Sequence, residues 1–301
     1  MKKNSEDKSN LWFFSLHGGH SKDFCEHARG SLNAIINKAI SINMSVYGIT
    51  EHAPRTEYKY LYPEEIEAKL TPRDLLQRYI KYCKTTSDLQ SKFQNSITIL
   101  KGLEIEVVPL DKYVEITKNL IEEGNIEYIV GSVHWVDDIP FDFSVDEFKR
   151  ASNKYGLVNL VRRYYEILRR MVSELRPQIV GHLDLITCFL SSEELNKIYP
   201  MIGKDIEDTL ELIKKYDLLL EVNTSGYRKP IKRAFPDIYI LKKAKEINIP
   251  LTFGDDSHST QEVGKYIKRA RNLLLKLGIK EVIQLNKTLD SKLFRQNVPI
   301  I

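Results

Sequence analysis

The chain has 301 residues, 42% of them apolar, and a formal net charge of +4 from 45 basic and 41 acidic side chains. That apolar share suffices for a sizeable core, the mixed charges form no basic stripe suited to nucleic acid, and no apolar run approaches the ~20 residues of a membrane span. Three cysteines far apart, Cys25, Cys83 and Cys188, argue against a disulfide framework and for a reducing compartment, so a cytoplasmic location is expected.

The first ten residues, MKKNSEDKSN, are polar and read as a disordered lead; the four-residue apolar run after them is too short for the core of a signal peptide. From there, short β-branched runs alternate with amphipathic stretches. Residues 12–16 read as a strand, 31–43 as a helix and 46–50 as a second strand. Residues 58–92, rich in Tyr, Glu and Lys, link this strand to a third at 97–107, and their later part, 72–92, reads as a helix with Asp74 as its start signal. The alternation continues with a helix at 110–123, a strand at 128–133 and a long helix at 145–175. Ser144 starts that helix and Pro177 stops it. Strands at 179–183, 218–222 and 249–253 alternate with helices at 193–216, 238–247 and 262–277, and 281–285 is a possible eighth strand. Strands alternating with helices imply a parallel sheet covered by helices. Seven or eight such units suit a closed β/α barrel in one domain, with an open doubly wound sheet as the alternative.

The histidines follow this layout. All seven lie at or just past the end of a strand: His17, His20 and His27 after the first, then His52, His134, His182 and His258. Glu104 lies in the third strand, and Asp256 two residues before His258. In a parallel barrel the carboxyl ends of all strands share one face, so these residues converge. Crowded imidazoles are resolved if they are neutral donors to cations. A set of His, Asp and Glu suits Zn²⁺, Mn²⁺ or Fe²⁺, and nine ligands are too many for one ion; two or three ions are expected.

The motifs TEHAPR (50–55), GLEIEV (102–107), GSVHW (131–135), GHLDLI (181–186), EVNTSGYRKP (221–230) and DDSHSTQEVG (255–264) together resemble the polymerase-and-histidinol-phosphatase (PHP) family, in particular its monofunctional phosphatases of histidinol phosphate. The resemblance runs from about residue 15 to 278. It implies a distorted (β/α)7 TIM-like barrel with a trinuclear metal site at the carboxyl ends of the strands. Its ligands would be His17, His20, His27, His52, Glu104, His134, His182, Asp256 and His258. The opening departs from the family's His-x-His: here it is His17-Gly18-Gly19-His20. A plain strand aims residues i and i+3 at opposite sides, so the two glycines are expected to turn both histidines inward.

The implied reaction is hydrolysis of a small phosphomonoester, L-histidinol phosphate first, within histidine biosynthesis. A hydroxide bridging two ions would attack phosphorus, with Asp256, His258 and His182 at the reacting centre. Arg228 is the expected phosphate-binding cation, with Arg55 and Lys229 as weaker candidates. Glu51 and Asp184 are candidate partners for the far nitrogens of ligand histidines. Asp255 would add negative charge beside the metals or face solvent, Trp135 would line the pocket or pack, and Cys25, placed where it could ligate a soft metal, is expected instead to sit as a small buried hydrophobe. Residues 58–92 resemble a family insertion near the active face, where Glu64, Tyr60 and Tyr62 could meet the cationic end of histidinol. Two other readings are a PHP-fold phosphoesterase acting on another phosphomonoester or on nucleic-acid ends, and a non-catalytic metal-binding module.

Overall fold

The computed structural model describes residues 11–288, 290 and 292–301. The lead expected at residues 1–10 lies outside them. A six-stranded parallel sheet organises the chain: β1 (Val46–Ile49), β2 (Thr98–Ile105), β3 (Tyr128–Gly131), β6 (Ile179–Val180), β7 (Leu219–Asn223) and β8 (Leu251–Gly254), in that spatial order. Apart from Thr98 every strand residue is buried, which is the condition of a parallel sheet covered on both faces and the reason these runs read as almost continuously apolar. The first expected strand, 12–16, is no assigned strand. It makes one parallel bridge, Ser15 to Tyr47, yet it touches both edges of the sheet. Its Ser15 N–H donates to Val46 O (3.2 Å), and its Leu16 N–H donates to Phe253 O (2.8 Å). The sheet therefore curls until its edges meet across this segment.

Helices fill the crossovers: α1 (Leu32–Ser41), α2 (Pro63–Glu67), α3 (Pro72–Phe93), α4 (Tyr113–Gly124), α5 (Val145–Tyr155), α6 (Leu157–Leu175), α7 (Ser192–Lys215), α8 (Ile238–Glu246) and α9 (Ile267–Lys276). Their starts follow local chemistry. Thr71 caps α3 in a reciprocal pair with Asp74, with Pro72 in the first turn, so Asp74 is the third helical residue and not the cap. Ser144 caps α5 and Ser191 caps α7. The single helix expected at 145–175 is two, because Gly156, at φ 76°, separates α5 from α6. Arg176 ends α6 in the left-handed region ahead of Pro177.

Two small antiparallel pairs complete the fold, β4 (Trp135–Val136) with β5 (Ile139–Pro140) and β9 (Glu281–Lys287) with β10 (Leu293–Pro299). The run at 281–285 is thus one arm of a hairpin and not an eighth barrel strand. Gln284 of β9 donates to Leu11 O (3.0 Å) and Ser45 Oγ (2.8 Å), groups that precede the first run and β1. The hairpin therefore covers the amino-terminal end of the sheet and leaves the carboxyl end open. No helix among the described residues is long and apolar enough to cross a membrane.

Candidate metal centre

At that carboxyl end β2 delivers Glu104, and Glu106 follows just past the strand, two residues on and so on the same side. Glu104 is 1% exposed and is the hub of the site. Its Oε1 lies 3.0 Å from His182 Nε2, 3.3 Å from His17 Nε2 and 3.4 Å from His134 Nε2. Its Oε2 lies 3.0 Å from His52 Nδ1 and 3.8 Å from His20 Nε2. Asp256 forms a second centre: Oδ1 is 3.6 Å from His20 Nε2, 3.6 Å from His258 Nδ1 and 3.9 Å from His17 Nε2. The His27 ring stacks on His258 with 4.8 Å between centroids. All nine side chains singled out in the sequence meet here.

The His-Gly-Gly-His opening works as its glycines require. Gly19 adopts φ 79°, in the left-handed region, and both imidazoles are fully buried with Nε2 aimed at Glu104 and Asp256. The outward-facing nitrogens are held by a ring of three further carboxylates. His17 Nδ1 lies 2.8 Å from Glu221, His20 Nδ1 3.2 Å from Glu51 and His134 Nδ1 3.1 Å from Glu106. A carboxylate behind an imidazole fixes the tautomer and leaves the other nitrogen as donor to a cation. Of these three only Glu51 was expected. Glu106 and Glu221 were legible as charged residues inside otherwise apolar strands, where burial of a charge calls for a partner. Gly254 is required beside Glu221, since a Cβ there would collide with the Glu221 carboxylate.

Without cations this cluster is frustrated. His17 Nε2, His20 Nε2, both nitrogens of His52, His182 Nδ1 and Glu104 Oε2 are buried with no hydrogen-bond partner, a costly state unless the atoms serve as ligands. Burial lowers the affinity of His17 and His134 for protons, but neighbouring carboxylates, Glu221 first for His17 and Glu106 first for His134, outweigh it and hold both pKa values well above the ordinary imidazole range. Burial and the neighbouring His20 push His27 down to about 4. Four overlapping triads fit an ion: His17, His182 and Asp256; His17, His20 and Glu104; His20, Asp256 and His258; Glu104, His134 and His182. The donors are imidazole nitrogens and carboxylate oxygens, a set that accepts zinc, manganese or iron.

The centre opens into a cavity of about 650 Å³, walled by His27, His52, Glu104, His134, His182, Asp256 and His258 on one side and by Tyr62, Pro63, Glu64, Asp142, Phe143, Glu147, Arg228 and Lys229 on the other. The model of the PHP domain matches residues 17–225, which is more than half of the chain. The chain belongs to the PHP domain family.

A Schizosaccharomyces pombe protein named "Probable histidinol-phosphatase" is 34% identical over 280 residues, spanning 90% of this chain and 89% of the relative. The histidinol-phosphatase of Saccharomyces cerevisiae is 24% identical, spanning 82% and 84%. Two solved structures share the fold. A Listeria monocytogenes chain superposes with TM-score 0.73 at 24% identity, covering 85% of this chain and 99% of that one. Histidinol phosphate phosphatase from Lactococcus lactis, solved with zinc, L-histidinol and phosphate, superposes with TM-score 0.68 at 20% identity, covering 90% and 95%.

The remaining sequence candidates of this PHP domain divide by what they touch. Arg228 lines the cavity, but its guanidinium also holds the loop after β8: Nη1 donates to Asp255 O (3.0 Å), Nη2 to Asp256 O (2.7 Å), and Nε faces Glu262 at 3.3 Å. Lys229 lines the cavity beside Asp142, at 3.5 Å. Arg55 does not line it. It is 4% exposed, paired with Glu65, bonded to Ala53 O (3.0 Å) and laid over the Tyr62 ring at 4.1 Å; its charge is used in packing the 58–67 segment. Asp184 likewise contacts no ligand histidine: it accepts from Arg233 (2.9 Å) and the Asp237 N–H (3.1 Å). Asp255 is fully buried, accepts from the N–H groups of Gly264 (2.7 Å) and Ser257 (3.2 Å), and is pushed up to about 6 by burial. It shapes the loop and faces neither solvent nor a ligand triad. Trp135 packs between Tyr60 and Phe143, which also takes Tyr60 out of the cavity wall. Tyr62 stays in that wall, and its hydroxyl donates to Glu106.

Proposed function

We propose that this PHP domain is a metal-dependent phosphomonoester hydrolase, a histidinol-phosphatase that converts L-histidinol phosphate and water to L-histidinol and phosphate. The observation that carries the reading is Glu104: one buried carboxylate faces five imidazoles, among which His17 Nε2, His20 Nε2, both nitrogens of His52 and His182 Nδ1 have no hydrogen-bond partner, beside a cavity of about 650 Å³. Similarity to curated histidinol-phosphatases over most of the chain supports the substrate. In this reading the fold is one distorted (β/α)7 barrel, with residues 12–16 as its seventh strand, and the nine side chains around Glu104 and Asp256 hold two or three ions, zinc, manganese or iron. A role in histidine biosynthesis and three free buried cysteines fit a cytoplasmic enzyme.

Divalent ions bound there supply Lewis acidity toward phosphate oxygens and bring the pKa of a water near neutrality. The protein supplies the geometry. Glu104 spans the triads through its two oxygens, and Glu51, Glu106 and Glu221 fix the rings behind it. Asp256, His258 and His182 stand where the cavity meets the centre and so at the reacting phosphorus. Asn223 Nδ2 donates toward Asp256 Oδ2 (3.4 Å), which keeps Oδ1 turned to the histidines. Arg228 and Lys229 place positive charge on the wall for the phosphate oxygens. Glu64, Glu147 and Asp142 line the cavity as acidic groups suited to the ammonium and imidazole of histidinol.

The test is phosphate release from L-histidinol phosphate beside a panel of other phosphomonoesters and 3′-phosphorylated oligonucleotides, with protein loaded in turn with Zn²⁺, Mn²⁺ and Fe²⁺. The expected result is a kcat/KM for histidinol phosphate at least about 100-fold above the panel, a differential binding of about 3 kcal/mol, abolished by chelation. Equal rates across the panel would remove the substrate assignment, and chelator-resistant turnover would remove the metal.

A further inference from the structure

The sequence offers Cys25 either as a small buried hydrophobe or as a ligand to a soft metal, and it is buried, at 5% exposed. Its surroundings are not those of a core thiol. It sits in the 21–28 turn, where its N–H donates to Ser21 O (2.8 Å), and its Sγ lies 3.3 Å from His27 Nε2. That sulfur and one nitrogen each of His27, His52 and His258 lie within 4.8 Å of one another. In a tetrahedral zinc site with Zn–S of about 2.3 Å and Zn–N of about 2.05 Å, sulfur and nitrogen ligands stand about 3.6 Å apart, close to the separation here. A plain S–H···N contact would account for Cys25 and His27 alone. It leaves His52, nine-tenths buried, with neither nitrogen hydrogen-bonded. Its Nδ1 faces Glu104 at 3.0 Å, so Nε2 is the atom left for an ion further out.

We propose that Cys25 is a metal ligand, joining the imidazoles of His27, His52 and His258 in a four-ligand set at the outer edge of the centre, and that this set selects Zn²⁺ over Mn²⁺. The inference rests on the metal-centre reading above. Binding forms a sulfur–zinc bond and releases the thiol proton to solvent. A thiolate is a soft ligand that zinc accepts and manganese, which prefers oxygen, does not.

Chelated full-length protein reloaded with Co²⁺, with bound metal counted by elemental analysis, tests this directly. The expected spectrum contains a near-ultraviolet sulfur-to-cobalt charge-transfer band, present in the wild type and in the Cys83→Ser, Cys188→Ser double variant and lost in Cys25→Ser. In competition with a chromophoric chelator, Cys25→Ser should weaken one zinc by at least about tenfold, the scale of losing even an indirect metal partner, and leave manganese binding unchanged. Bound Co²⁺ without the band in the wild type overturns the Cys25 assignment and leaves the metal centre standing. A band that persists in Cys25→Ser overturns it as well. Failure to bind Co²⁺ at all overturns the metal centre and this inference with it.

Discussion

Glu104 shows why a single buried carboxylate organises so much of this molecule. Burial raises its pKa, but His17, His52 and His134 outweigh that cost and hold it well below the usual carboxylate range. Those imidazoles favour its ionised form, and five rings face it. The same scale separates a site residue from a packing residue of identical type. Arg55 and Arg228 both follow strand ends, yet Arg55 is consumed by Glu65 and the Tyr62 ring while Arg228 reaches the cavity. Arg55→Ala would strand a buried Glu65 charge, at a cost of about 3–5 kcal/mol. The expected outcome is a clearly lower denaturation midpoint with KM for the phosphate substrate unchanged. A raised KM at unaltered stability would return Arg55 to the phosphate site.

Elements were legible wherever one periodicity dominates. The apolar runs that became β1, β2, β3, β6, β7 and β8 are buried on both faces, so no alternation was needed to find them. Three departures have local causes. Gly156 divides one amphipathic stretch into α5 and α6; residues 281–285 pair with β10 instead of the barrel; and residues 259–266 are turns ahead of α9. At the opening, strand periodicity would have sent His17 and His20 to opposite sides, and Gly19 decides otherwise. A left-handed φ costs a residue with a Cβ about 1–2 kcal/mol, and the Ile49 side chain lies 3.3 Å from where that Cβ would stand. Gly19→Ala should therefore fold, with a modest loss of stability, but hold less metal than the wild type at matched free zinc. Full metal content and normal turnover in Gly19→Ala would show that the turn does not depend on glycine.

Across the whole molecule, protons and metal ions compete for the same nitrogens. The carboxylates beside His17 and His134 raise their affinity for protons. An ion binding there competes with protons for those nitrogens, so its affinity falls as pH falls. Adding Zn²⁺ to chelated protein in weak buffer at pH 7 should release protons, and lowering the pH from 7.5 to 5.5, roughly a hundredfold rise in proton concentration, should weaken zinc binding. Zinc affinity that is flat over that range, with no proton release, would contradict the ligand assignment.

The sequence by itself determined the alternation of strand and helix, the nine side chains that converge at the strand ends and the family resemblance, because buried strands, histidines at strand ends and two adjacent glycines are local signals. Tertiary structure decided which charges belong to the centre. Glu106 and Glu221 stand behind His134 and His17, while Asp184 and Arg55 turn to Arg233 and Glu65. It also brought Cys25 to His27, His52 and His258. Most of these pairings, His17 with Glu221 and Cys25 with His258 among them, join residues remote in the chain, and a side chain's partner follows from the curl of the sheet and the path of each loop, which no single segment encodes.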